Sequence, residues 1–453
     1  MSARDASPPA ANEGQSPGWW PWLTVALLFV ASIVSVLDRT ILNVVVDSVK
    51  KDLAISDVQI SLLQGFAFGL FYATMGIWLG VVADRTVRRN LISGGIALWS
   101  VATVGGGLAH GFGSLFAARM LVGLGEAALA PAAISLIADL FPPGRRGRPI
   151  GVFLMGQALA NGLSISVTGG LLGMAMHGQL AGLPFIGALA PWRVVFVLCG
   201  LSGFVVSAVF LVTREPRRES VGPSISFLAQ AHDSLAYILN QRRRFLGVYL
   251  GFAIYFLAAY GAAMWQVAMI SRQYHMSASV VAATFGPIAV GFGLVTPLIG
   301  GVLVDWVVRR SGVDGLLWLL AIAPLLALPS SMAVMASGPK TAMVLCATQA
   351  GVSAIVGSAV FSYLQSAMPA DMRGFSVSLT GLVNTLLGLA VGPTLVALMT
   401  DRVLGDPAKV GWAIFAVTAP AEIVAALLFA GTAMLNAPRK RAIIERVEEP
   451  VHG

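Results

Sequence analysis

Apolar runs of about 20 residues or more recur along nearly the whole chain, and no other feature limits its fold so strongly. Twelve can be marked, at about 20–47, 57–83, 91–111, 113–140, 149–176, 192–213, 245–271, 278–305, 315–336, 340–367, 375–400 and 409–435. Twenty helical residues span about 30 Å, the thickness of a bilayer's hydrocarbon core. Lipid cannot hydrogen-bond to a backbone, so spanning segments are helices or strands of closed barrels, and these lengths select helices. Composition agrees. Of 453 residues, 57% are hydrophobic and 11% charged, against about 25% charged in soluble domains. The expected fold is an all-α membrane protein of twelve transmembrane helices.

The net charge of +8 does not point to nucleic acid, because the basic residues fall in short clusters between apolar runs. Arg85, Arg88 and Arg89 follow the second run, and Arg145, Arg146 and Arg148 the fourth. Arg214 to Arg244 flank the centre, Arg309 and Arg310 follow the eighth run, and Arg439, Lys440 and Arg441 the last. The other face carries scattered bases such as Lys50, Lys51, Arg272 and Lys340. The positive-inside rule then puts both termini in the cytoplasm of a multi-pass cell-membrane protein. Residues 1–18 read as a disordered cytoplasmic tail, since they lack a basic start and a cleavage site. Trp19, Trp20 and Trp22 read as an interfacial belt. The long link 214–244 carries Phe227, Leu228, Leu235 and Ile238 at helical spacing, which fits either an amphipathic helix on the membrane face or a solvated linker with some helix. Residues 437–453 read as a second cytoplasmic tail.

The chain repeats internally. GVVADRTVRR at 80–89 returns as GVLVDWVVRR at 301–310, and Pro142…Arg146-Gly147 returns as Pro369…Arg373-Gly374. Parallel repeats of this kind build two pseudo-symmetric bundles around a central site. The expected bundles are residues 19–213 and 245–436, six helices each.

The loop GVVADRTVRR resembles the signature loop of the major facilitator superfamily. A finer resemblance runs through LDRTILNVV, SDVQISLLQGFAFGLFYA, GVVADRTVRRNLISGGIALWS, ARMLVGLGEAALAPAAISLIADLFP, PWRVVF and REPRR. These segments are similar to the spinster branch, whose members move lysophospholipids and sphingolipid-type amphiphiles. An Asp-Arg pair in the first helix and a Glu in the fourth also occur in the organic anion:cation symporter branch. Val87 and Trp306 depart from the superfamily pattern, which often has Gly and Arg there.

The residues themselves point to the same chemistry. Asp38 and Arg39 stand in the first run, and Arg119 and Glu126 stand seven residues apart, on one helix face, in the fourth. A charge at the bilayer centre costs about 2.5–3.5 kcal/mol at least, so four require mutual pairing or a polar cavity. A static network locking the first helix to the fourth is the simpler account, but buried ion pairs stabilise poorly. The favoured account makes Asp38 and Glu126 proton-coupling groups, as the resemblance also implies. Arg39 and Arg119 are then ion-pair or head-group partners. Asp38 and Arg39 point about 100° apart, so Arg39 is free to pair with Glu126 or with an anionic head group while Asp38 faces the water path.

A cytoplasmic gate is expected from Gly80, Asp84, Arg85, Arg88, Arg89 and Asp139, with Asp305, Arg309 and Arg310 in the second copy. Asp84 and Arg88, four apart, are expected to meet across one helical turn. Asp139 joins them, and Asp84 is placed to reach the helix N-terminus near Gly374. Candidate cavity-lining groups are Tyr72, Tyr255, Tyr260, Trp265, Gln349, Phe361, Tyr363 and Asn384. An apolar second half facing a charged first half would suit an amphiphile. Glu422 stands alone in the last run and reads as a packing acid or one near the outer interface. GLGEAA reads as close helix packing, not a phosphate loop.

The five His residues show no ligand spacing, so no metal is expected. Cys199 and Cys346 both fall in apolar runs, which argues against a disulfide framework. No HExxH, GxSxG or paired-His motif supports an enzyme. A receptor without turnover would be favoured by loss of the signature loop, and both copies are largely intact. The expected protein is a monomeric, proton-coupled carrier of a small amphiphile, with organic anion symport or multidrug efflux as alternatives. No cofactor is expected beyond the proton as coupling ion.

Overall fold

A computed structural model describes residues 18–216, 227–369 and 372–448. The expected tail 1–18 therefore lies almost wholly outside the described residues. The described residues are helical, with no strand among them. In chain order we label α1 (Trp19–Leu53), α2 (57–85), α3 (Arg88–Gly107), α4 (Phe112–Leu140), α5 (Gly147–Met176), α6 (Pro191–Phe210) and α7 (Phe227–Asn240). They are followed by α8 (Arg242–Gln273), α9 (Ala278–Ser311), α10 (Gly315–Met335), α11 (Pro339–Ala367), α12 (Arg373–Leu404) and α13 (Val410–Glu448).

Among the described residues, eleven helices are long and apolar enough to cross a membrane. The chain is a multi-pass membrane protein. The run expected at 91–111 is helical as α3 but falls outside that set. It opens on Arg88-Arg89-Asn90 and closes on three glycines, which dilutes its apolar character. The short α7 is the helix expected in the central link. Its Ile238 is buried and its Leu235 and Leu239 are exposed.

Several spans depart from a plain α-helix. α4 is interrupted at Ala127 and Ala128, directly after Glu126. α10 breaks into 3₁₀ turns around Pro324 and again at Met332–Met335. Proline removes a backbone donor and clashes with the preceding turn, which accounts for the first break. α2 and α12 each widen into π-helix, at Leu62–Ala67 and Asn384–Val391, and these two segments pack on each other. Such widened turns often mark functional positions.

The two copies of the repeat fold differently. In the first, the helix stops at Arg85, Thr86 and Val87 are extended, and Arg88 starts α3. Arg88 and Asp84 are therefore on different helices, and the expected pairing across one turn has no helical turn to cross. In the second copy the helix runs through Arg309 and Arg310 and ends at Gly312, whose φ of 72° suits glycine.

Helices α1 to α6 pack largely on one another, as do α8 to α13. The two sets meet where α5 lies against α9 and where α2 meets α12. At Gly162 on α5 an added Cβ would stand 2.3 Å from the Val290 nitrogen of α9. Such a contact forces the helices apart. Gly151, on the same helix, has open space around it. Gly162→Ala is expected to lower thermal stability by about 1–3 kcal/mol, the usual cost of overpacking. Gly151→Ala should leave it unchanged in the same melting experiment.

Candidate functional site

The site grows from a glycine contact. Gly123 and Gly125 on α4 let that helix come close to its neighbours. A Cβ on Gly123 would stand 2.4 Å from the Phe68 carbonyl oxygen of α2, and one on Gly125 2.7 Å from the Gly95 carbonyl of α3. The GLGEAA run therefore packs helices, and it sets Glu126 facing α1.

There Arg39 Nη2 donates to Glu126 Oε2 at 2.8 Å, and Ser35 Oγ donates to the same oxygen at 2.8 Å. The Arg39 guanidinium lies over the rings of Phe68 and Tyr72, 4.7 and 4.9 Å from their centroids. Glu126 is buried, whereas the Arg39 side chain keeps 25% of its surface exposed. A charged pair in a dry interior needs such extra donors and ring faces to offset desolvation.

Arg119 is buried beside this pair but makes no ion pair. It donates to the backbone carbonyls of Asp38 at 3.0 Å and of Arg39 at 2.9 Å. Its partner is thus the chain of α1, not a carboxylate, and its charge lies close to Asp38 and Glu126 without capture by either. Asp38 points the other way. Its carboxyl is fully buried, and neither oxygen has a hydrogen-bond partner. Thr103 and Trp99 of α3 face it without closing a bond of normal geometry. The expectation that Asp38 faces water fails here, because the rotation that turns Arg39 toward the interior space turns Asp38 into the α1–α3 contact.

A cavity of about 200 Å³ opens beside Arg39. Its lining is split. Arg39, Thr40, Asn43, Gln64, Gln157 and Asn161, with apolar Val36, come from α1, α2 and α5, whereas Tyr260, Ala263, Met264, Leu389 and Pro393 come from α8 and α12. Of the aromatic and polar groups expected at the wall, Tyr260 lines it. Asn384 stands within 3.5 Å of the Tyr260 hydroxyl, and Tyr72 holds Arg39. The others are core, except half-buried Phe361. Trp265 is buried and donates to the Pro393 carbonyl. Tyr255 and Gln349 are buried against each other. Tyr363 is buried and accepts from Arg244. Phe361 packs edge-on to Phe252. Asn43, Gln64, Gln157 and Asn161 were missed, since a lone amide in an apolar run gives no sign of which way it faces.

The two ends of the bundle differ. At the arginine-rich end, buried Arg88 pairs with Asp139 and, at 2.8 Å, with Glu215. Glu215 also accepts from the backbone nitrogens of Arg88 and Arg89, capping α3. The side chains of Asp84 and Arg85 lie outside the described residues. A Cβ added to Gly80 would make only an ordinary contact, with Pro131 at 3.9 Å. Asp305, Arg309 and Arg310 are exposed and form no ion pair among the described residues. No described ion pair at this end joins α1–α6 to α8–α13.

The opposite end is clamped. Arg272, at the end of α8, reaches Asp47 of α1 at 2.7 Å and Asp57 of α2 at 3.0 Å. Lys50 adds a second cation to Asp57 at 2.5 Å. Asp401 of α12 accepts from the Val58 nitrogen at 3.0 Å. Arg272 had read as a scattered surface base. Its role as a bridge appears only once α1 and α8 are placed side by side.

A polytopic helical fold with a charged pair beside a split internal cavity defines a membrane transporter. Residues 28–393 match the family model described as Major Facilitator Superfamily, and the chain belongs to that superfamily. It is a transporter, not an enzyme. It is 27% identical to an "MFS-type efflux pump" of Mycolicibacterium smegmatis over 94% of both chains. It is 32% identical to human "Protein spinster homolog 1" over 46% of this chain and 37% of that one. It is 25% identical to the hexuronate transporter of Bacillus subtilis over 83% of this chain and 87% of that one. Its fold matches the crystal structure of a bacterial homologue of the human lysosomal transporter spinster, described as inward-facing and unoccupied, with a TM-score of 0.76 and 24% identity. That match covers 95% of this chain and 99% of the other. The chain resembles the spinster branch.

The clamp gives a direct test. Asn43 lines the cavity just behind it. In a background of Asn43→Cys, Arg272→Ala is expected to raise labelling by a membrane-impermeant thiol reagent applied from the clamped end. Asp57 is fully buried and Arg272 nearly so, and breaking a buried pair costs about 3–5 kcal/mol, so losing the bridges should raise labelling at least severalfold. Unchanged labelling would mean that helix packing alone closes this end.

Proposed function

We propose that the protein is a proton-coupled secondary transporter that carries a small amphiphile by alternating access. In this reading α3 is the twelfth span, and residues 19–213 and 245–436 form two six-helix halves joined by 214–244. Both termini lie in the cytoplasm, and the arginine-rich end faces it.

One observation carries the reading. The cavity wall is polar and cationic on one side and largely apolar on the other, and Arg39 is its charged group. A molecule with an anionic or zwitterionic head and an apolar tail matches that division. The head sits at Arg39, and the tail lies along Ala263, Met264, Leu389 and Pro393.

Arg39 already has an anionic partner in Glu126. A head group competes for the same guanidinium, and a proton on Glu126 cancels the charge that holds it. Either event loosens α1 from α4. Two conformations a few kcal/mol apart need no larger bias to exchange populations. Asp38 adds a second proton site on the far face of α1. With no donor and no cation bonded to its oxygens, it is best accommodated as a neutral acid while buried. It ionises when the helices part and water reaches it.

The six polar or charged groups at the wall favour a second reading, in which a hydrophilic organic anion fills the cavity. The hexuronate transporter among the relatives supports it, as the efflux pump supports export of drugs. Uptake into proteoliposomes with a panel of lysolipids, sphingoid bases, sugar acids and drugs separates these readings.

Coupling is tested in the same vesicles with the membrane potential clamped. One proton per cycle lets a one-unit pH gradient support about tenfold accumulation. Asp38→Asn is expected to keep substrate binding and to lose that accumulation, with exchange in the absence of a gradient less affected. Arg39→Ala should impair both, because it strands Glu126. If Asp38→Asn concentrates substrate normally, Glu126 becomes the coupling group. If Glu126→Gln does so as well, this cluster does not couple protons.

A further inference from the structure

Glu422 lies outside the site described above. It stands on α13, fully buried, and is absent from the cavity wall. Its Oε2 lies 3.0 Å from Ser331 Oγ, and its Oε1 has no partner. Ser331 Oγ lies 2.6 Å from Thr418 Oγ1, which in turn lies 2.9 Å from the Ile414 carbonyl oxygen.

All three of these contacts can be hydrogen bonds at once in only one arrangement. A carbonyl oxygen cannot donate, so the 2.9 Å contact between Thr418 and Ile414 uses the single hydrogen of Thr418. Thr418 then accepts from Ser331, which uses the single hydrogen of Ser331. No hydrogen remains between Ser331 and Glu422 unless Glu422 brings it. We propose that Glu422 is a proton-binding site separate from Glu126 and Asp38, a neutral acid whose O–H begins a chain through Ser331 and Thr418 that ends on the Ile414 carbonyl.

The surroundings agree. The helices packed on this part of α13 are α8, α10 and α12. α8 brings Tyr255, whose hydroxyl is already engaged with Ser353 at 3.1 Å. α10 brings Ser331. Among the described residues no Arg, Lys or His faces the carboxyl. An ionised Glu422 would hold a full charge in an apolar interior with one hydroxyl for solvation, which is strongly unfavourable. Protonated, it needs only one acceptor, and Ser331 supplies it.

Glu422, Thr418 and Ile414 follow each other at four-residue steps toward the clamped end. The chain of hydroxyls is therefore a polar stripe aimed at that end. Ser331 sits where α10 passes into a 3₁₀ turn, so its position depends on an irregular segment. When Glu422 gives its proton to water entering from that end, Ser331 turns its hydrogen to the carboxylate and Thr418 turns its hydrogen to Ser331. Ile414 keeps its backbone partner.

Infrared spectroscopy of the purified full chain at neutral pH reads the proton without any transport assay. Wild type minus Glu422→Gln is expected to show the loss of one protonated-carboxyl band. Asp38→Asn should leave that band in place. Ser331→Ala retains Glu422 and should keep the band but shift it to higher frequency, because the acid O–H loses its acceptor. Loss of a carboxylate band in Glu422→Gln in place of the acid band would overturn the proposal. So would a Ser331→Ala spectrum with no shift.

Discussion

Arg39 and Glu126 tie α1 to α4 in a medium where neither charge could stand alone. Much of the surrounding structure serves that contact. Glycines on α4 bring the acid within reach, Ser35 gives it a second donor, and the rings of Phe68 and Tyr72 cover the guanidinium. Arg119 holds the backbone of α1 at residues 38 and 39, the point at which the helix must present Arg39 to one side and Asp38 to the other. A cation spent on two carbonyls is an expensive way to fix a helix rotation. It makes sense where that rotation decides which acid meets water.

The two ends of the molecule divide their work by what their charges bridge. At the arginine-rich end Arg88, Asp139 and Glu215 stay within α2–α6 and the link that follows, and they brace α3 against its neighbours. At the other end Arg272 and Asp401 reach across from α8 and α12 to α1 and α2. Charges of the first kind travel with one group of helices. Charges of the second kind must break before the groups can part. The conformation is accordingly closed at the end carrying Arg272.

The periodicity and length of the apolar runs made the helices legible, because lipid leaves a backbone few other options. The pairing of Arg39 with Glu126 was legible for a related reason: two intramembrane charges of opposite sign have little else to meet. The sequence was silent wherever a side chain's direction depends on a neighbouring helix. Trp265 and Tyr363 looked like cavity residues and are core, whereas Asn161, which carried no signal in the sequence, lines the cavity. The Asp84–Arg88 spacing fits one helix, but Thr86 and Val87 are extended and part the two residues. Glu215 lies in a polar link, where an acid carries no signal, yet it caps α3.

Three buried acids illustrate how neighbours, more than depth, decide what a carboxyl does. Glu126 has a guanidinium and a hydroxyl donor, so it can hold a negative charge in the closed interior. Asp38 is one residue from that guanidinium in sequence but faces away from it, toward Thr103 and Trp99, neither of which closes a hydrogen bond to it. Glu422 meets one hydroxyl, that of Ser331, and its other oxygen has no partner. In the proposed cycle the first acid exchanges its proton against an arginine, and the other two exchange theirs against water. Water reaches buried groups only when helices separate. Protonation of the second kind is thus tied to which end is open, and protonation of the first kind to what occupies Arg39. A carrier needs both dependences, because movement of the proton must be conditional on both the gate and the cargo.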